Sequence, residues 1–182
     1  MRWICLLIGY FCGSFLTADV VSYHYTGHSA ATLGASHNPG MANVMLTLGF
    51  KPGMIVLLGD LGKCALAMGL SHWLFPTSLA ILYAGLGTIF GHDFPFWRHF
   101  HGGKGVACTC ALLVMYRPMW GLIALIIGGL VVVVSKKLWI GGIWMPMLCI
   151  LPWMMQSKEA GLVCILVSGL SLYSFRKDIR KR

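Results

Sequence analysis

Residues 91–105, GHDFPFWRHFHGGKG, gather the groups in this chain best suited to chemistry. Gly102, Gly103 and Gly105 surround one lysine, Lys104. Glycine reaches backbone conformations closed to other residues, so successive N–H groups in such a turn can converge on an anion. An apolar run starts at Gly105, and as a helix it would aim its N-terminal amides and its dipole at the same point. Lys104 adds a full positive charge. These are the parts of a phosphate site, although the Gly-x4-Gly-Lys-Ser/Thr of a Walker loop is absent. A tight interfacial turn with a snorkelling lysine would use the same residues. A second run, 34–43 (GASHNPGMAN), holds Ser36, Asn38, Gly40 and Asn43. This composition suits a turn that offers amides and hydroxyls to a polar ligand, or a plain loop.

Other chemistry finds little support. Asp60 and Lys63 stand one helical turn apart in an apolar run, where charges are costly and pair toward the protein interior. His99 and His101 could supply two metal ligands, but there is no His-Glu-x-x-His and no acidic partner nearby except Asp93. The seven cysteines all lie in apolar segments without metal-ligand spacing and read as small buried hydrophobes. No acid stands at a convincing spacing from a His/Ser pair, and no histidine is followed five positions later by an acid, so a nucleophilic triad and a His-x4-Asp base are both unsupported. No metal or cofactor is expected.

The elements that must position these groups follow from composition. Of 182 residues, 58% are hydrophobic and only 10% charged, against about 25% charged in a soluble domain. Mean hydropathy is +0.78. One soluble core of this size cannot hide so much apolar surface, so the solvent is lipid. In lipid the backbone must satisfy its own polar groups, which makes the apolar runs helices. Seven runs are expected: 3–21, 53–70, 75–91, 105–116, 118–134, 138–155 and 160–175. The fourth is short for a full span, which takes roughly 20 residues. It reads as a partial span or as one leg of a hairpin with the fifth. The first reads as a retained helix, since one basic residue precedes it and no small-x-small cleavage site follows. The fold class is therefore all-α and polytopic, a single membrane domain over 1–182.

The net charge of +9 would suggest nucleic acid in a soluble protein. Here the basic residues cap the apolar runs. With the N-terminus outside, ten of the 14 fall in cytoplasmic segments: Lys51, Arg98, Lys104, Lys136, Lys137, Arg176, Lys177, Arg180, Lys181 and Arg182. Arg2, Arg117 and Lys158 fall outside, and Lys63 lies within a span. The positive-inside rule selects this orientation and puts the two long glycine-rich loops, 22–52 and 92–104, on the cytoplasmic side of an inner membrane.

These motifs resemble those of the bacterial acyl-phosphate:glycerol-3-phosphate acyltransferases, over nearly the whole chain. Gly13-Ser14 is similar to that family's first motif. Ser36, Asn38, Gly40 and Asn43, followed by Thr47-Leu48-Gly49, are similar to its second. Asp60 and Lys63 match an Asp-x-x-Lys in its second helix. Gly91-His92, Phe94-Pro95, Phe100 and residues 102–107 (GGKGVA) match its third motif closely. The resemblance implies a seven-helix membrane enzyme that acylates the 1-hydroxyl of glycerol 3-phosphate with acyl phosphate and makes lysophosphatidic acid for phospholipid synthesis. It implies catalytic roles for Lys104 and for His92, the latter more as a loop-orienting hydrogen-bonder than as a base. Substrate would be bound by Ser36, Asn38, Gly40, Asn43, Gly102, Gly103 and Gly105. Partners would be the two substrates, membrane lipid and the enzyme that makes acyl phosphate, with no nucleic acid. The chain departs from the family pattern at several polar positions. Thr32 and Leu46 stand where arginines are usual, His37 replaces a glycine, Gly141 or Gly142 a serine, and Phe175 and Asp178 a His and an Asn. A catalytically silent relative that binds acyl phosphate or lipid as a regulator is thus the second reading, and a small anion transporter the third.

Overall fold

A computed structural model of the protein describes residues 1–180, and these fold as helices with no strand among them. Lys181 and Arg182, two of the ten basic residues assigned to the cytoplasmic side, lie outside the described residues. The helices are α1 (Arg2–Ser14), α2 (Thr17–Thr26), α3 (Met41–Leu48), α4 (Phe50–Leu74), α5 (Ser78–Asp93), α6 (Val106–Tyr116), α7 (Pro118–Ser135), α8 (Leu138–Gln156), α9 (Lys158–Ser174) and α10 (Arg176–Arg180). Short 3-10 turns form at Ala30–Thr32 and Phe96–Arg98.

Each of the seven apolar runs is helical, with three differences. The first run is broken at Phe15 and continues to Thr26, the segment 22–52 contains the helix α3, and the tail adds α10. Among the described residues, four helical stretches are long and apolar enough to cross a membrane: Arg2–Thr26, α4, α7 and α8. The short α6 meets α7 at the single residue Arg117, and Pro118 starts α7 at the position where its missing N–H costs nothing.

Packing follows the logic of a lipid solvent. On α7 the buried residues are Gly121, Ala124 and Gly128, while Leu122, Ile126, Leu130, Val133 and Val134 face outward. Small residues let helix backbones approach, and lipid solvates the large side chains. The tightest example joins α1 to α5 through a Gly-x3-Gly pair on each helix. A Cβ on Gly9 or Gly13 would lie 2.1 or 2.2 Å from the carbonyl oxygens of Ala84 and Thr88. A Cβ on Gly87 or Gly91 would meet those of Leu6 and Tyr10 as closely. The core between the helices is filled by Met68, Leu82, Ile89, Leu112, Leu113 and Trp153, all fully buried.

Polar side chains gather at the two ends of this bundle. At one end Arg2 and Tyr83 bond Glu159, which ties the starts of α1 and α9 to α5. At the other lie the break in α1–α2, both glycine-rich segments and the tail.

Candidate anion-binding site

The two glycine-rich segments and the tail enclose a cleft of about 260 Å³. The first segment lines it with Ser36, His37 and Asn38, the second with Arg98, His101, Gly102, Gly103 and Lys104, and the tail with Ser174, Arg176, Lys177 and Asp178. Four guanidinium or ammonium groups thus line the cleft with the partly exposed Asp178 carboxylate and the buried carboxyl group of Asp93. The first segment is shaped from below. Buried Asn43 on α3 donates to Ala30 O and Leu33 O at 3.1 and 3.0 Å and accepts from Ser36 Oγ at 2.7 Å. A Cβ on Gly40 would lie 2.9 Å from Asn38 Nδ2, so Gly40 gives Asn38 room at the rim. His37 adopts φ +49°, left-handed backbone that explains why a glycine is at home in this position.

Asp19 anchors the same segment from the first helix pair. Its Oδ1 accepts from Ser29 Oγ and Ala30 N at 2.7 and 3.0 Å, and its Oδ2 accepts from Arg98 in an ion pair. One carboxylate therefore joins both glycine-rich segments. Asp19, Arg98, Ser174, Arg176 and Lys177 were not among the expected site residues. A carboxylate inside an apolar run was the available signal for Asp19. The tail residues carried none beyond their charge.

The glycine turn has a different construction from the cradle expected of it. Gly102 N and Gly103 N donate to Asp93 O and His92 O, each at 2.9 Å, so these two amides close the turn on α5 rather than face an anion. The start of α6 remains, with no side-chain cap on its first amides, and the dipole there favours negative charge. Gly105 holds φ +61° against Asp93, whose Oδ1 would lie 2.8 Å from an added Cβ. Asp93 Oδ2 accepts from Ser174 Oγ at 2.5 Å and so fastens the turn to α9.

Lys104 reaches the cleft with its ammonium 2.8 Å from Asp178 Oδ2 and 5.1 Å from the centre of the Phe175 ring. The two departures noted in the tail are thus the two groups that touch Lys104. His92 does not line the cleft: it is 4% exposed and lies beneath Gly103, beside Asp60 and Lys63. Of the expected site residues, Ser36, Asn38, Gly102, Gly103 and Lys104 line one cleft, while Gly40, Asn43, Gly105 and His92 support it.

Fold and site together define an all-helical integral membrane protein with a basic cleft where its glycine-rich segments meet. The family described as glycerol-3-phosphate acyltransferase matches residues 3–182. Relatives named glycerol-3-phosphate acyltransferase 1 from Lactobacillus johnsonii and Lactobacillus acidophilus are 38% and 39% identical, each over 98% of this chain and over 87% and 86% of their own lengths. The chain belongs to the glycerol-3-phosphate acyltransferase family. Its fold is also that of the crystal structure of PlsY (YgiH), an integral membrane glycerol 3-phosphate acyltransferase in its glycerol 3-phosphate form. The TM-score is 0.86 at 21% identity, covering 99% of this chain and 90% of that one.

Proposed function

We propose that the protein transfers an acyl group from acyl phosphate to the 1-hydroxyl of glycerol 3-phosphate, giving lysophosphatidic acid and inorganic phosphate. The observation that carries this reading is one basic cleft, in which Lys104 stands among residues from both glycine-rich segments and the tail. Acyl phosphate is already activated, because inorganic phosphate is a good leaving group. The hydroxyl oxygen bonds to the acyl carbon, the acyl–phosphate C–O bond breaks, and the hydroxyl proton ends on the phosphate released. No covalent enzyme intermediate is needed. The protein's part is to hold two anions together and aim one at the other, which is catalysis by proximity and electrostatics. Lys104, the α6 N-terminus, Arg98 and the tail cations Arg176 and Lys177 supply the positive field. Ser36 and Asn38 supply neutral hydrogen bonds. The acyl chain would leave the cleft between helices into lipid.

In this reading the chain is one domain of seven spans in the bacterial inner membrane, with its N-terminus outside and the cleft and tail in the cytoplasm, where both substrates and the acyl-phosphate-producing enzyme are met. The test is purified protein in lipid, given acyl phosphate and glycerol 3-phosphate and assayed for lysophosphatidic acid. Product formation that falls with Lys104→Met supports the proposal. Tight binding of acyl phosphate with no product supports instead the silent-relative reading, which the Asp178 carboxylate on Lys104 favours.

A further inference from the structure

Beneath the glycine turn lies a group of ionisable side chains that the cleft does not use. Lys63 on α4 is 6% exposed at its side chain, Asp60 3% and His92 4%, all inside the helix bundle. The Lys63 ammonium donates to Phe15 O at 2.8 Å, lies 2.8 Å from His92 Nδ1 and forms an ion pair with Asp60 Oδ1 at 2.9 Å. Phe15 O is free for this because the first helix breaks there, where helical pairing cannot serve it. Asp60 balances the charge that burial would otherwise penalise.

An ammonium has donors and no lone pair. At 2.8 Å from the Lys63 ammonium, His92 Nδ1 is placed to accept, which is the arrangement of the Nε2–H tautomer. That edge of the ring lies directly under Gly103: a Cβ there would be 2.1 Å from Nε2, 2.7 Å from Cδ2 and 3.0 Å from Cε1. The carbonyl of the same histidine accepts the Gly103 N–H at 2.9 Å. His92 therefore grips the residue before Lys104 from two sides, and Lys63 decides how its ring is protonated and oriented.

We infer that Asp60, Lys63 and His92 form a positioning relay in which Lys63 locks His92 in its Nε2–H form and so fixes the glycine turn that carries Lys104. The inference rests on the proposed transferase reading for its consequence, not for its geometry. With Lys63 removed, Asp60 Oδ1 stands 3.7 Å from Nδ1, and a carboxylate draws a proton onto Nδ1. Lys63→Met is then expected to shift the ring proton from Nε2 to Nδ1. Lys63→Arg, which keeps a cationic donor, is expected to retain it on Nε2.

The test is nitrogen-15 NMR of histidine- and glycine-labelled protein in lipid nanodiscs, without substrate. The parent should show His92 neutral with Nδ1 unprotonated. Lys63→Met should reverse the ring assignment and move the Gly103 amide resonance, and Lys63→Arg should restore both. The same variants are then assayed for acyl transfer. Lys63→Met is expected to lose roughly tenfold or more in kcat at saturating substrate, since a small misplacement of a binding group costs rates of that order. A parent His92 that is protonated on Nδ1 or doubly protonated overturns the relay, as does Lys63→Met with an unchanged ring and Gly103 amide. If Lys63→Met does not fold, the parent assignment decides alone. A parent with the expected tautomer but no acyl transfer refutes the transferase reading and leaves the relay standing.

Discussion

Lys104→Met keeps the aliphatic stem and removes the charge, and its effect depends on Asp178. The ammonium already bonds Asp178 at 2.8 Å, with the two side chains 21% and 33% exposed. A partly exposed pair of this kind adds about 0–1 kcal/mol to folding, so the variant should insert and melt close to the parent. One of its three hydrogens is committed to Asp178, and two remain for a phosphate. A charge-assisted hydrogen bond contributes roughly 1.5–3 kcal/mol. With a carboxylate competing for the same ammonium, the low end applies. At about 1.4 kcal/mol per decade, a non-transferable acyl phosphonate should then bind about tenfold more weakly to Lys104→Met. Replacing Asp178 by Asn removes the competitor, and the same lysine substitution in that background should cost nearer a hundredfold. Titration calorimetry on the four proteins of this double-mutant cycle measures the coupling directly. Lys104→Arg should also bind less well, because a planar fork does not replace a compact charge in a tight turn. Equal binding by Lys104→Met and parent would refute the anion site. A cycle with no coupling would refute the competition by Asp178.

Gly103→Ala places a methyl 2.1 Å from His92 Nε2 and should abolish acyl transfer while leaving the helices intact, as checked by circular dichroism and a product assay. Asp19→Asn leaves Arg98 without its counter-charge and loosens both glycine-rich segments, so stability should fall by about 3 kcal/mol, read as a lower melting temperature. A cysteine at His101 in a protein otherwise free of cysteine should escape a membrane-impermeant thiol reagent added outside intact cells and react after lysis. Labelling before lysis would invert the proposed orientation.

The hydrophobic runs and their basic ends determined a great deal without any coordinates. Once lipid is the solvent, a backbone has no choice but to be helical, and each helix from α4 to α9, 11 to 25 residues long, lies close to where its apolar stretch predicts. The Gly102–Gly105 turn and Lys104 were legible for a similar reason, because glycines around a lysine have few uses. Their hydrogen bonds were not. Spacing alone cannot tell that the Gly102 and Gly103 amides are spent on Asp93 O and His92 O, because those acceptors lie across a turn whose path the tertiary fold sets. The break at Phe15 was hidden too, since Gly13-Ser14 before it serves equally as a helix-packing pair; Lys63 and Trp97 stabilise the break from other elements by bonding Phe15 O and Ser14 O. Asp178 on Lys104 and Asp19 on Arg98 join residues 74 and 79 positions apart. Local propensity acts over a few residues, and lipid dictates only which segments are helical. Which charges meet is decided by how closely the helices pack, and here the Gly-x3-Gly contact of α1 with α5 sets that distance.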